Sequence, residues 1–293
     1  LAGSTSGESD ALAKLKSARV AFQGERGAFS EAAAIQLLGD SITTVPRSTF
    51  DSAFQAIAEG AADALLAPVE NTLAGSVVRV YDLLLESNLS MVAETILQIE
   101  HQLIGVPGAA LADLRSVSSH PVALAQCEKF FLAHSNLKRV PTEDTAGSVR
   151  EVLARGDKSF AGIAARRAAT IYGGVILAEN IQDNPENFTR FVLLVPSAQA
   201  AQFASSGASK MSLALRLAHK PGALLSALEP FARHGVNLQK IESRPIHGRP
   251  FEYQFYLDVE ATSPDAIYTA LAEVRSSTTF LRVLGLYPSA SRT

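Results

Sequence analysis

The segment Ile181–Phe191, IQDNPENFTRF, runs into the apolar stretch Val192–Val195 and sets Thr189 beside Arg190 at the start of a buried strand. A loop rich in Asp, Asn and Pro delivers the pair. In open α/β sheets, ligands bind beyond the ends of the strands. A hydroxyl donor beside a guanidinium suits an anionic substrate that must lose an oxygen. The plainer alternative is that Thr189 only opens the strand and Arg190 faces solvent. Similar polar side chains lie in comparable turns: Asn71, Thr72 and Ser76 beyond Ala64–Val69, Ser119 after Val117, Gln126 in the segment that follows, and Thr145 in DTAGS. A cleft lined by hydroxyls, amides and an arginine can bind an organic anion and assist departure of a hydroxyl by hydrogen bonding. Threonine is a feeble acid in water, so the substrate must supply the drive. Oriented donors in a dry site still stabilise developing negative charge.

Other chemistries lack their residues. The six histidines, His101, His120, His134, His219, His234 and His247, form no i, i+4 pair and have no cysteine partners, so no metal is expected. The phosphate-binding and dinucleotide glycine fingerprints and the GxSxG elbow are missing, and no cofactor is expected. Cys127 shares a helical face with Leu124 and Phe131 and reads as a buried structural thiol.

The elements that must position these groups alternate. Arg19–Phe22 is a strand running into Gln23-Gly24-Glu25-Arg26-Gly27, and Phe29–Leu38 is helical. That turn could face backbone N–H groups toward an anion, or be only a tight turn. Ser48 caps a helix with Phe50, Phe54, Ile57 and Ala58 on one face. Ala64–Val69 is a strand, Tyr81–Leu85 a helix and Ser90–Ile99 a strand. A second α/β unit begins at His101–Val106. It continues through strand Val117–Ser119, helix Ala123–His134, a helix capped by Asp144 or Thr145 and running to Arg155, strand Phe160–Ile163, helix Arg166–Tyr172 and strand Val175–Ala178. Arg190–Val195 closes it. Strands alternating with helices imply a mostly parallel sheet. Ser197–Ser209 reads as a linker. Beyond it, Met211, Leu213, Leu215 and Leu217 alternate as a half-buried strand. Leu224, Leu225, Leu228, Phe231 and Ala232 make one helical face, and Val236–Ile246 and Phe251–Val259 are extended. Helix Pro264–Arg275 and strand Phe280–Leu286 complete a βαββαβ, ferredoxin-like order.

Composition sets the bounds. The 293 residues suffice for two or three domains, 47% are hydrophobic, and the net charge of −3 offers no basic face for nucleic acid. A single cysteine fits a reducing compartment, and no apolar run is long enough to cross a bilayer. Leu1–Asp10 is small and polar, without the basic start and apolar core of a signal peptide, and reads as a disordered lead.

Read as a set, the segments VAFQGERGAFSEAAA (Val20–Ala34), LLAPVENTLAGSV (Leu65–Val77), Ser119–Pro121, Gln126–Cys127, DTAGS (Asp144–Ser148) and NFTRF (Asn187–Phe191) resemble the prephenate dehydratases. KPGALL (Lys220–Leu225) and NLQKIESRP (Asn237–Pro245) resemble their C-terminal ACT regulatory domain. The resemblance implies an α/β fold. A catalytic domain over 18–197 would have two periplasmic-binding-protein-like subdomains, about 18–99 with 187–197 and 100–186, able to close on each other. A lead of 1–17 would precede it, and a ferredoxin-like ACT domain over 210–288 would follow. It implies a cytoplasmic lyase, or a plastid one in a plant, that removes carbon dioxide and water from prephenate to give phenylpyruvate. Thr189 would hydrogen-bond or protonate the departing hydroxyl. Asn71, Thr72 and Ser76 would form the substrate turn, with Ser119, Gln126, Thr145 and Phe191 also at the site. Arg190 would hold a carboxylate or a structural ion pair, and Glu70 would be an acid or a salt-bridged group. L-Phenylalanine would bind between paired ACT domains at Gly222, Ala223, Leu224 and Leu225 and at Asn237, Glu242, Ser243, Arg244 and Pro245. That arrangement requires a homodimer or homotetramer, without nucleic-acid or membrane partners. Two positions depart from the family: Val122 stands where glutamine is common, and Gln239 where threonine is frequent. Arogenate is an alternative substrate, and a non-catalytic anion-binding protein the alternative function.

Overall fold

The computed structural model describes residues 12–205, 207–246 and 248–290. The expected lead at Leu1–Asp10, and His247, lie outside the described residues. Residues 12–17, expected to be part of that lead, instead carry a 3-10 turn at Ala13–Leu15 with Leu15 buried. An apolar side chain able to pack is the physical reason.

The chain divides into two compact units. One comprises Leu15–Tyr81 and Thr95–Phe191; the other includes Asp82–Glu94 and the residues from Val192 onward. The division falls elsewhere than the expected domain boundary, because two long strands begin in one unit and end in the other.

The first lobe of the first unit is built from β1 (Arg19–Gln23), α1 (Phe29–Leu38), β2 (Thr43–Arg47), α2 (Phe50–Ala58), β3 (Ala64–Asn71) and the short β4 (Gly75–Ser76). Next come α3 (Val78–Glu86) and β5 (Leu89–Gln98). β1 lies parallel between β2 and β3. Val20, Ala21, Phe22, Leu65 and Leu66 are all buried. Such continuous apolar runs belong to central parallel strands covered on both faces. α2 starts one residue later than the sequence suggests. Thr49, not Ser48, is the cap, because its hydroxyl accepts from the Ser52 N–H while the Ser52 hydroxyl accepts from the Thr49 N–H. The buried face is accordingly Ala53, Phe54, Ala56 and Ile57, and Ala58 is exposed.

The second lobe holds β6 (Gln102–Gly105), β7 (Ser116–Ser119), α4 (Pro121–Ala125), α5 (Glu128–Ala133), β8 (Lys138–Pro141), α6 (Thr145–Arg155), β9 (Phe160–Ala164), α7 (Arg166–Tyr172) and β10 (Val175–Ala178), in the strand order β10-β6-β9-β7-β8. This sheet is half antiparallel, not mostly parallel: β6 runs against both β9 and β10. The single helix expected over Ala123–His134 is two helices broken at Gln126-Cys127. The break follows from Asp183, whose carboxylate accepts from the Glu128 and Lys129 N–H groups while its own N–H donates to the Gln126 carbonyl. A carboxylate there acts as an N-cap from a distant loop. β11 (Phe188–Pro196) then returns to the first lobe beside β3.

The two lobes share a core: Phe22 and Ala28 pack with Ile104, Ala164, Ala168 and Ala169. Gly27 comes so close to Ala168 that a Cβ on it would sit 2.8 Å from the Ala168 Cα. Glu31 on α1, fully buried, accepts from the Gly27 N–H, the Thr44 hydroxyl and Arg167 Nε of α7. A wide hinge opening of the lobes would break the Arg167 bond to Glu31 and the packing of Phe22, Gly27 and Ala28 on the second lobe, so any closure over a ligand is local.

The second unit has the expected βαββαβ order: β12 (Lys210–Arg216), α8 (Ala223–Arg233), β13 (Asn237–Ile246), β14 (Arg249–Glu260), α9 (Pro264–Val274) and β15 (Phe280–Tyr287). Its sheet order, β13-β14-β12-β15, is the ferredoxin-like one, extended by β5 beside β15. Met211, Leu213, Leu215, Phe231, Leu257, Val259, Ile267 and Leu271 form its core. β12 is buried on both faces rather than half-buried, since Ser212 lies inside as well, bonded to Asp258 and the Tyr287 hydroxyl. On α8 the buried residues are Ala223, Ala227, Pro230 and Phe231; Leu225 is 71% exposed and Ala232 is exposed. The expected linker contains a 3-10 helix, Ser197–Phe203, with Phe203 buried. No described helix is long and apolar enough to cross a membrane.

Candidate active site

β3 and β11 bring together the two polar segments that the sequence singles out. In a strand, side chains alternate between faces. Asn71 and Thr189 therefore meet on one face, and Glu70 and Arg190 on the other. Asn71 Oδ1 accepts from the backbone N–H groups of Leu73 and Ala74, at 2.9 and 2.8 Å. Its Nδ2 is thereby turned toward β11, where it donates to Asn187 Oδ1 at 2.8 Å, Thr189 Oγ1 at 2.9 Å and the Phe188 carbonyl at 3.1 Å. Thr189 is only 8% exposed. Its hydroxyl oxygen accepts from an amide, so its own proton remains to be donated. Thr72 clasps the same strand: its hydroxyl donates to the Glu186 carbonyl and accepts from the Phe188 N–H. Ser76 sits opposite Glu70 in the β3–β4 ladder, and Phe191 is buried two residues beyond Thr189.

Gln126, exposed by the break between α4 and α5, reaches this cluster from the other lobe. Its Oε1 accepts from Asn187 Nδ2 at 3.0 Å and lies 2.8 Å from His101 Nε2. Burial holds the His101 imidazole below the usual histidine range, a tendency only partly offset by the Gln126 bond. The ring is therefore neutral at physiological pH, and it packs edge-on against Phe29.

Other expected site residues stand apart. Ser119 is fully buried and donates to the Ile163 carbonyl at 2.7 Å, so its hydroxyl holds two strands together and does not face a cleft. Arg190 takes the ion-pair alternative, 3.9 Å from Glu70 on the face away from Thr189. Thr145 opens α6 behind the Asp144 cap and lines a hollow of about 480 Å³ with Gln23, Gly24, Phe29, Thr49 and His120. The turn Gln23–Gly27 does present a backbone N–H to an anion, but the anion is the chain's own Glu31. Cys127 is buried as expected, and burial together with the Asp183 charge pushes its thiol up to about 12. Asn187 and His101 are the residues that the sequence reading passed over. Asn187 was detectable, since it lies two residues before Thr189 and so on the same face. His101, a lone histidine weighed only as a metal ligand, gave no comparable signal.

In the second unit Gly222 precedes α8 at φ +79°, a left-handed conformation that favours glycine. Ala223 is buried and Leu224 lines a hollow of about 150 Å³. Asn237, Ser243 and Pro245 are exposed on β13, with Glu242 and Arg244 half-buried between them. Gln239 donates to Glu260 on the neighbouring strand.

A family model described as prephenate dehydratase matches residues 20–199. The chain belongs to the prephenate dehydratase family. A model described as ACT domain matches residues 211–276. Among curated relatives of this dehydratase-family chain, arogenate dehydratase/prephenate dehydratase 2, chloroplastic, of Arabidopsis thaliana is 41% identical, covering 92% of this chain and 72% of that protein. The bifunctional chorismate mutase/prephenate dehydratase of Neisseria gonorrhoeae is 36% identical over 96% and 77%. Among solved structures, prephenate dehydratase from Arthrobacter aurescens in complex with L-Phe is 33% identical, covering 92% of this chain and 90% of that one with a TM-score of 0.81. GqqA, described as a novel type of quorum quenching acylase, is 34% identical over 93% and 98% with a TM-score of 0.82.

Proposed function

We propose that this chain is a lyase that converts prephenate to phenylpyruvate without a cofactor and is held in check by L-phenylalanine. The observation that carries the reading is the Thr189 hydroxyl: nearly buried, accepting from Asn71 Nδ2, and with its proton unspent. Prephenate carries a ring carboxylate and, across the ring, a hydroxyl. As the carbon–carboxylate bond breaks, its electron pair enters the ring and the carbon–oxygen bond breaks in turn. Carbon dioxide and an aromatic ring result. The departing oxygen takes a proton from Thr189 and leaves as water; Thr189 regains the proton from solvent. Asn71 polarises the hydroxyl by donating to it, which makes it a better donor to developing negative charge. Gln126 adds a neutral amide donor beside it.

For regulation, β13 supports a site shared between two copies. It lies at the edge of its sheet with no buried residue, and Leu225 and Ile241 are exposed. Gly222–Leu225 of one copy and Asn237–Pro245 of another would enclose the effector in a homodimer or homotetramer. A cytoplasmic or plastid compartment fits one free, buried cysteine.

The purified protein is assayed with prephenate, following phenylpyruvate absorbance with and without L-phenylalanine. Product that phenylalanine suppresses is the expected result. The relatives that carry both dehydratase names favour arogenate as the second substrate to test. Failure with both would sink the dehydratase reading in favour of an anion-binding protein. The likeness to GqqA makes hydrolysis of an N-acyl amide the control activity.

A further inference from the structure

The hydrogen bonds around Thr189 have a single polarity, and it is set by the backbone. The N–H groups of Leu73 and Ala74 can only donate, so Asn71 must present its oxygen to them and its NH₂ to β11. Asn187 must then answer with Oδ1 and turn its own NH₂ to Gln126. Gln126 must answer with Oε1, so His101 must carry its proton on Nε2 and leave Nδ1 bare. The structure agrees at the far end: His101 Nδ1 is buried without a hydrogen-bond partner among the described residues. The donors left over, Gln126 Nε2 and the Thr189 hydroxyl, have no acceptor among the described residues. Both are free for a ligand.

We infer that His101 and Asn187 are positioning residues, which fix the Gln126 amide and the Thr189 hydroxyl as donors toward the substrate by completing this one-way series of hydrogen bonds. Neither touches the reacting atoms in this account. His101 anchors the outer end from the second lobe and Asn187 joins the two lobes, so an amide free to flip becomes one with a single orientation. The neutral state of His101 follows from its burial and keeps a charge away from the site. The inference rests on the reading of Thr189 as the proton donor.

The test is a double-mutant cycle read through kcat and KM for prephenate. His101→Leu removes the donor to Gln126. It should lower kcat by about 10- to 100-fold, the scale of a misplaced catalytic group, with KM changed less than about threefold. His101→Gln places an amide N–H where Nε2 stands and should recover most of kcat. His101→Asn, whose amide overlays Nδ1, should not. Added to Thr189→Val, His101→Leu should cost less than it does alone, because one of the two donors it orients is already gone. Nitrogen chemical shifts of the imidazole in the unaltered protein should show a bare Nδ1 and a protonated Nε2, a reading that needs no variant to fold. Full loss in Thr189→Val with an additive or absent effect of His101→Leu would overturn the positioning role alone, as would the opposite tautomer. Turnover retained by Thr189→Val would bring down the proton-donor reading beneath it.

Discussion

The Thr189 cluster and strand β13 handle polar side chains in opposite ways. In the cluster, Asn187, His101 and Thr189 are buried, and each is hydrogen-bonded to Asn71, to Gln126 or to both. Along β13 no residue of the ten from Asn237 to Ile246 is buried. A site that must do chemistry within one chain has to be organised before the substrate arrives, because unpaired polar groups in a dry pocket are costly and mobile ones are poor catalysts. A half-site that waits for a second copy can stay solvated, and its groups become ordered when the partner covers them.

The sharpest way to break this contrast is at Thr189. Thr189→Val keeps the shape of the side chain and removes the proton; kcat should fall about 1000-fold, with the melting temperature little changed. Thr189→Ser should retain activity within about tenfold. If valine were tolerated, the cluster would be a structural clasp like the Thr72 bridge beside it. Next in size is Asn71→Asp. A carboxylate there would face Asn187 Oδ1 and the Thr189 oxygen with no proton to give, while losing nothing in volume. A fall in kcat of about 100-fold is expected, measured beside Asn71→Ala to separate charge from simple loss. The same change in β13, Asn237→Asp, should leave turnover without phenylalanine unaltered.

How far the sequence foretold this depended on whether a residue's partner was local. The βαββαβ order of the second unit was legible because apolar periodicity and glycine stops are local. The pairing of Asn71 with Thr189 was legible only as two polar segments at strand ends, and the resemblance to a family put them at one site. What escaped were distant partners. The break between α4 and α5 needs Asp183, more than fifty residues on. Ser119 looked like a cleft residue because its acceptor, the Ile163 carbonyl, lies on another strand. Arg190 could not be assigned until strand alternation showed it on Glu70's face. His101 had no signal at all, since its role exists only through Gln126.

A third prediction tests whether the lobes of the first unit are as fixed as the cluster requires. Burial alone would push the Glu31 carboxyl up, but hydrogen bonds from the Gly27 N–H, Thr44 and Arg167, with the Arg167 charge, hold it below the usual carboxylate range. A folded-state value below the unfolded one stabilises the protein above the unfolded value, near pH 4.3, and the gain disappears as pH falls through the folded value. Glu31→Gln should therefore lower stability by about 2 kcal/mol at pH 7. The gap from the unaltered protein should persist at pH 5, begin to narrow below the unfolded value of about 4.3 and vanish only below the folded one, as measured by urea unfolding at each pH. A gap that did not depend on pH would mean that Glu31 acts by packing rather than by charge.

The smallest effect belongs to the half-site. Gly222 holds φ +79° with no atom of the described residues within 4 Å of where a Cβ would stand, so alanine there is opposed by backbone conformation and not by crowding. An L-residue in the left-handed region costs about 1–2 kcal/mol. If the turn unwinds to relieve that strain, the backbone of Gly222–Leu225 moves and the effector loses its seat, while the Thr189 cluster, which lies in the other unit, is untouched. Gly222→Ala should thus raise the phenylalanine concentration for half-inhibition by about 5- to 30-fold, the same strain expressed as affinity, and leave kcat and KM without phenylalanine unchanged. A parallel fall in basal turnover would show that the two regions are not separable in the way their burial suggests. Unchanged inhibition with a lowered melting temperature would place the effector elsewhere in the second unit and leave Gly222 as no more than the start of a helix.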